Sequence, residues 1–263
     1  MTAALPGPGV SEIHVWTISL TASESGIRTF RSWLHGEEKA RAERFAFAHL
    51  KRRYELSQGA LRLLLGHYSG RDPRVVEFSF GVSGKPALSD ERELRFNKSD
   101  SGDLAVYAFA TGCDVGVDVE QLRDVADAEQ IAAQYFSPEE TTELLRESAA
   151  VGRREAFFRC WTRKEAYIKA VGGGLSIPLS EFQVTVSLAD RPRILRIGED
   201  FSAGASWILE HLEPAEGFIG ALAYASRPRS LRFHGPIDCD SLLGRMSGPQ
   251  TETKSTTETD GMV

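Results

Sequence analysis

Cysteine is scarce in this chain of 263 residues: Cys113, Cys160 and Cys239 lie far apart and form no C-x-x-C pair. That argues against a disulfide framework or a cysteine-built zinc site and fits a reducing compartment, so a cytoplasmic location is expected. Long apolar runs are missing as well. None approaches the roughly 20 residues needed to cross a bilayer, so no membrane association is expected. The opening MTAALPGPGVSE carries no basic region followed by an apolar stretch, and no secretion signal is expected there. The chain also lacks a P-loop with its long glycine spacing and terminal Lys-Ser/Thr, and a kinase-type glycine loop. Basic residues are outnumbered overall, with a net charge of −6. No nucleic-acid-binding motif offsets that balance, so nucleic acid is not an expected partner.

One block runs against the charge of the rest. Between Arg28 and Arg74 there are 11 Lys and Arg against 5 Asp and Glu, a local excess of six positive charges. Such a block is either a surface for an anionic partner or a solvated helical face, and charge alone does not choose.

The hydrophobic pattern predicts an α+β fold. His14–Leu20 reads as a strand, and 37–66 as an amphipathic helix pair with Phe45, Leu50, Tyr54, Leu61 and Leu64 at mixed three- and four-residue spacings. Leu104–Ala110 and Val115–Val119 read as strands joined in hairpin fashion by Thr111-Gly112. Helices follow at 128–136, at 138–146 with Ser137 as N-cap and Glu140 three residues on, and at 152–170 before a triple glycine. Strands are expected at 182–186, 207–212 and 220–225. The repeated order of strand, helices, strands predicts two related halves, 1–112 and 113–226. Residues 227–263 are then an extension, read from its polar, Gly/Pro/Thr-rich end as a largely disordered tail.

Four segments carry candidate chemistry. In Gly116-Val117-Asp118-Val119-Glu120, strand alternation sends Asp118 and Glu120 to one face, about 7 Å apart, where they can chelate a hard cation such as Mg²⁺ or form a solvated polar face. On the helix after it, Phe158, Trp161, Glu165 and Ile168 share a stripe, so Glu165 borders an apolar face with Lys169 one turn on. The pair is either a helical ion pair or, if partly buried beside a cleft, a set for metal binding and acid–base work. Phe96–Gly102 reads as a strand end running into a loop of hydroxyls that can meet a phosphate, or as a generic turn. Gly84-Lys85-Pro86 is a turn bearing a lysine.

In this order the segments resemble the 4′-phosphopantetheinyl transferase superfamily, in its monomeric surfactin-synthetase-activating (Sfp-like) branch. The resemblance rests on G-K-P at 84–86, F-N-x-S-x-S-G at 96–102, G-x-D-x-E at 116–120 and W-T-x-K-E-A-x-x-K-A at 161–170. F-S-P-E-E at 136–140 and the stretch 172–179 are also similar, and the likeness spans roughly residues 10–226. It implies a pseudo-dimer of two similar α+β halves with coenzyme A at their junction. The implied activity is Mg²⁺-dependent transfer of phosphopantetheine from coenzyme A to a serine of an apo acyl or peptidyl carrier protein. Asp118, Glu120 and Glu165 are the implied metal ligands. Glu165 or a metal-ordered water is the implied base, and Lys169 the group that stabilises or protonates departing 3′,5′-ADP. Lys85, Ser99 and Arg53 correspond to phosphate contacts, and Arg44 and Arg52 belong to the same basic block. An apolar patch around Phe136 and the following helix is the implied carrier surface.

The sequence departs from the family at Asp100, where the S-x-S element usually holds histidine. An acid there is expected to bind a ribose hydroxyl or pair with a neighbouring cation such as Arg53. Two other readings compete: a carrier-docking module without catalysis, which the intact Asp118, Glu120, Glu165 and Lys169 oppose, and a phosphotransferase with another donor, which the missing glycine loops oppose.

Overall fold

The computed structural model of the chain describes residues 6–91, 93–225 and 227–247. The first half runs β1 (Glu12–Ser19), α1 (Glu24–Trp33), α2 (Gly36–Glu43), α3 (Ala48–Ser69), β2 (Phe78–Phe80), β3 (Pro86–Leu88), β4 (Leu94–Ser101) and β5 (Leu104–Thr111). The second runs β6 (Val115–Gln121), α4 (Ala128–Tyr135), α5 (Pro138–Arg146), α6 (Ala150–Val171), β7 (Phe182–Val184), β8 (Ile194–Ile197), β9 (Trp207–Leu212) and β10 (Phe218–Ala225). The chain then returns to the first half as β11 (Ser230–Asp238) and α7 (Cys239–Ser247).

The halves are built to one plan. In each, the first strand pairs antiparallel with the last, and the last with the one before it: β1–β5–β4 and β6–β10–β9. Helices α3 and α6 are each 22 residues long, begin 102 residues apart at 48 and 150, and stop at left-handed glycines, Gly70 and Gly172. The same spacing relates two buried ion pairs. Arg62 of α3 donates to Glu38 at 2.8 Å and to the carbonyls of Pro73 and Val76, each at 3.0 Å. Lys164 of α6, 102 residues on, meets Glu140 at 2.8 Å and donates to the carbonyls of Leu179 at 2.7 Å and Phe182 at 2.5 Å. Glu38 and Glu140 each accept from the backbone N–H of the residue opening their own helix, His35 and Ser137. Each cation also lies over an aromatic ring of the next strand, Phe78 or Phe182. The duplication is therefore visible in the wiring, although the side chains at matching positions mostly differ.

Each sheet lies between its helices and the other sheet. Ile13, Val15, Val106, Ala108, Val117, Val119 and Leu222 pack between the sheets. Trp16, Ile18, Phe30, Leu61, Leu64 and Phe109 fill the helical side of the first half, and Phe157, Phe158, Ile168, Ala221 and Ala223 that of the second. Because Val117 and Val119 face the other sheet, Asp118 and Glu120 face α6, as strand alternation requires.

Three expectations need correction. Thr111-Gly112 does not close a hairpin: β5 and β6 belong to different sheets, and the hairpin is β4–β5 across Gly102-Asp103, where Gly102 has φ +57°. Residues 96–101 are strand, not loop, because Asn97, Ser99 and Ser101 find partners on β6. Much of the 227–263 extension is folded: β11 pairs in parallel with the free edge of β1, and Cys239, Leu242 and Met246 of α7 are buried in the first half's core. The exposed N–H and C=O groups of an edge strand favour that addition. Residues 248–263 lie outside the described residues. Among the described residues no helix is long and apolar enough to cross a membrane.

Lys164→Met leaves the Glu140 carboxylate, fully buried, without its cation, and a loss of about 3–5 kcal/mol in unfolding free energy is expected. A urea midpoint near that of the parent protein would show that the pair does not anchor the second half.

Candidate active site

Glycine sets the distance between β6 and α6. A Cβ at Gly116 would lie 2.1 Å from the Ala166 carbonyl oxygen and 2.3 Å from the Ala170 nitrogen, so any larger residue would push the helix away. At this close approach Lys169 reaches Asp118, with Nζ 2.6 Å from Oδ1. Ser99 of β4 closes the triangle: its hydroxyl donates to the same Oδ1 at 2.8 Å and accepts from Lys169 at 3.0 Å. One residue pair further along, the Ser101 hydroxyl donates to Glu120 Oε2 at 2.8 Å, where Arg123 also donates at 2.9 Å. Asn97 accepts from the backbone N–H of Val117. Alternate residues of β4 thus join the halves where the acids of β6 emerge.

Burial raises the Asp118 pKa above the ordinary carboxylate range, against the opposing pull of Lys169 and Ser99. Its second oxygen, Oδ2, is buried without a hydrogen-bond partner. Burial, then the charge of Asp118, also raises Glu165, while Lys169 lowers it. Asp118, Glu120 and Glu165 are near enough to influence one another electrostatically, yet no group of three or more His, Cys, Asp or Glu among the described residues is gathered as a metal cluster.

Glu165 and Lys169 line a cleft of about 430 Å³, together with Gly84, Lys85, Lys98 and, on its apolar side, Tyr135, Ile168, Ile177 and Leu179. Three ammonium groups border it, and each has two protein acceptors. Lys169 uses Asp118 and Ser99, Lys98 uses Asp100 and Ser57, and Lys85 uses the carbonyls of Val115 and Ala170. An ammonium has three N–H bonds, so each retains one for a ligand. Burial lowers the Lys85 pKa to about 8.

The rest of the basic block is placed elsewhere. Arg53 pairs with Asp103 at 2.5 Å, and Arg52 lies 3.8 Å from Glu24. Arg44 is exposed at the end of α2, close enough to Tyr54 to act on its ionisation. None of the three lines the cleft. Asp100 pairs with Lys98 at 3.1 Å rather than with Arg53. Phe136 is 3 % exposed, packed against Phe157 and Trp161, so it is core and not a docking surface; the exposed apolar side chains of α4 and α5 are Tyr135 and Leu145. Lys98 was not singled out in the sequence, although strand alternation of 98 with 100 places it beside Asp100.

A family model for the 4′-phosphopantetheinyl transferase superfamily matches residues 114–223, which include Asp118, Glu120, Glu165 and Lys169. The 4′-phosphopantetheinyl transferase HetI of a Nostoc species is 36% identical over 217 residues, covering 81% of this chain and 88% of that protein. The chain belongs to the 4′-phosphopantetheinyl transferase superfamily. The psf-1 transferase of Bacillus pumilus is 31% identical over 84% of this chain and 91% of its own length. The Sfp transferase of Bacillus subtilis is 30% identical over 58% of this chain and 66% of its own length. These relatives agree with the Sfp-like resemblance read from the motifs. The family match falls on the second half, which carries Asp118, Glu120, Glu165 and Lys169, whereas Lys85, Lys98 and Ser99 come from the first.

Because burial lowers the Lys85 pKa to about 8, binding of an anion that needs the ammonium should weaken as pH rises through that value, by up to about tenfold per pH unit above it. Calorimetric titration with pyrophosphate on both sides of that pH should show this, and Lys85→Met should flatten the dependence.

Proposed function

We propose that the protein transfers the phosphopantetheine arm of coenzyme A to a serine hydroxyl of an apo carrier protein and releases 3′,5′-ADP. The observation that carries this reading is the cleft where Glu165, unpaired among the described residues, faces Lys169 on the Asp118–Ser99 triangle, in a chain of this superfamily. Three lysines, each with a free N–H, suit the several negative charges of coenzyme A. The basic block, of which Arg44, Arg52 and Arg53 are part, adds a favourable field near the first half, although those three side chains engage acids or solvent.

The serine oxygen attacks the phosphorus that bears the pantetheine arm. A new P–O bond forms, the pyrophosphate P–O bond breaks, and the electron pair leaves with 3′,5′-ADP. Glu165 accepts the serine proton; burial, then the neighbouring Asp118 charge, raise its pKa from the usual glutamate value. Lys169, held by Asp118 and Ser99, presents its remaining N–H to the charge growing on the leaving phosphate. Ser99 thus acts by holding Lys169 and Asp118, and Lys85 by holding β3 to the end of α6 while facing the cleft.

The donor set fits Mg²⁺. Asp118 has a buried oxygen without a partner, Glu165 has none among the described residues, and Glu120 lies on the same face of β6. Asp118, Glu120 and Glu165 would hold the ion, and when bound it offsets charge on the pyrophosphate oxygens. Removing the electrostatic strain on Asp118 is expected to raise the melting temperature of the wild-type protein on adding Mg²⁺. Differential scanning fluorimetry should show no such rise in Asp118→Asn.

Both walls of the cleft come from one chain, so a monomer suffices, and a cytoplasmic monomer fits the three buried free thiols. Carrier proteins of peptide, polyketide or fatty-acid synthases are the partners, docking beside the cleft near exposed Tyr135, which lines it. The test is intact-protein mass spectrometry of an apo carrier incubated with coenzyme A, Mg²⁺ and the protein. One phosphopantetheine should be added, at a rate about 10²–10⁴ lower in Glu165→Gln. No addition to any of the three carrier classes would overturn the reading.

A further inference from the structure

Lys98 and Asp100 face the opposite way from Ser99, toward α3 rather than β6. Their contacts form a closed triangle with Ser57, a fully buried residue of α3. Lys98 Nζ donates to Ser57 Oγ at 2.8 Å and to Asp100 Oδ1 at 3.1 Å, and Ser57 Oγ donates to the same Oδ1 at 3.1 Å. Tyr54 adds a wall, with its ring centre 6.0 Å from Nζ. The lysine nonetheless lines the cleft that Glu165 and Lys169 line.

Two features separate this triangle from an ordinary surface ion pair, which contributes little. The first is its third member: a buried serine fixes both charged groups, so the long lysine stem is ordered before any ligand arrives. The second is its direction. The carboxylate accepts on the α3 side while the ammonium reaches the cleft, with one N–H bond uncommitted. The arrangement repeats the Asp118–Ser99–Lys169 triangle on the other side of β4: acid, serine and lysine, with the lysine at the cleft. The two lysines therefore border one cleft from the two halves of the molecule.

Resting on the function proposed above, we infer that Lys98 binds a phosphate of the coenzyme A nucleotide, and that Asp100 and Ser57 are positioning residues that hold Lys98 toward it. Asp100 takes no part in contacting the nucleotide. Its negative charge disfavours the anion directly, so its favourable effect passes through Lys98 alone.

That division gives opposite signs in two backgrounds. Lys98→Met should weaken binding of 3′,5′-ADP, measured by calorimetry, about tenfold or more, and raise the KM for coenzyme A with little change in kcat. Asp100→Ala should weaken binding a few-fold when Lys98 is present, because the ammonium is no longer held. Placed on Lys98→Met, the same change should tighten binding, because only repulsion is then removed. Lys98→Arg should restore part of the affinity, and circular dichroism melts establish that each variant is folded. An unchanged dissociation constant in folded Lys98→Met overturns the inference while leaving the transferase reading intact. Tighter binding from Asp100→Ala in both backgrounds overturns the positioning role. If the wild-type protein binds neither 3′,5′-ADP nor coenzyme A, the transferase reading fails and takes this inference with it.

Discussion

A charge buried without its counterion is costly enough to reorganise a small domain, and each half of this protein holds a buried cation that its glutamate partner must neutralise. Arg62 and Lys164 are nearly or wholly inaccessible, and each is satisfied by a glutamate that also caps a helix, by two carbonyls of the following segment and by an aromatic face. Four elements therefore meet at one side chain. The loop after each long helix is fixed by the same contacts, and in the second half that loop brings Ile177 and Leu179 to the wall of the cleft. The floor of the site is thus positioned by a residue, Lys164, next in sequence to Glu165 but pointing away from the chemistry.

The duplicated plan also shows why the two halves differ in role. At the spacing of 102 residues that relates α3 to α6, Trp16 stands where β6 has Asp118, and His67 where α6 has Lys169. The indole donates to Tyr68 at 2.8 Å and stacks on His234 of β11 with centroids 4.1 Å apart. An aromatic plug, covered by the returning strand, fills in the first half the position that a carboxylate occupies in the second. One half keeps the acids, and the other contributes lysines and a serine across the junction. The division suits a ligand with several negative charges, because Lys85 and Lys98 of the first half and Lys169 of the second border the same cleft.

Much of the fold was legible in local pattern. The N-cap at Ser137 with Glu140 three residues on is realised, with Ser137 N–H donating to Glu140 at 2.7 Å. The helix over 152–170, its glycine stop and the alternation of Asp118 with Val119 follow from spacing alone. Helix α1 was missed although its signal was there: Ser23 caps it, and Ile27, Phe30 and Trp33 recur at three-residue spacing. The pairing of β5 was misread because Thr111-Gly112 has turn chemistry, while the partner of a strand depends on residues far away in the chain. Likewise a polar extension gave no sign that β1 had an unfilled edge for β11 to take.

By itself, then, the sequence determined most of the central helices and strands, the two-part order and which acids and lysine of the second half share a face, since periodicity and spacing act within one helix or strand. Only the tertiary structure decided which cations reach the cleft. Arg44, Arg52 and Arg53 share a charged block with no common target, whereas Lys85, Lys98 and Lys169, from three separate segments, converge. The physical reason is that a long basic side chain goes to the nearest acceptor that folding supplies. Asp103, Glu24, Ser57 and Asp118 become neighbours only after strands and helices have packed.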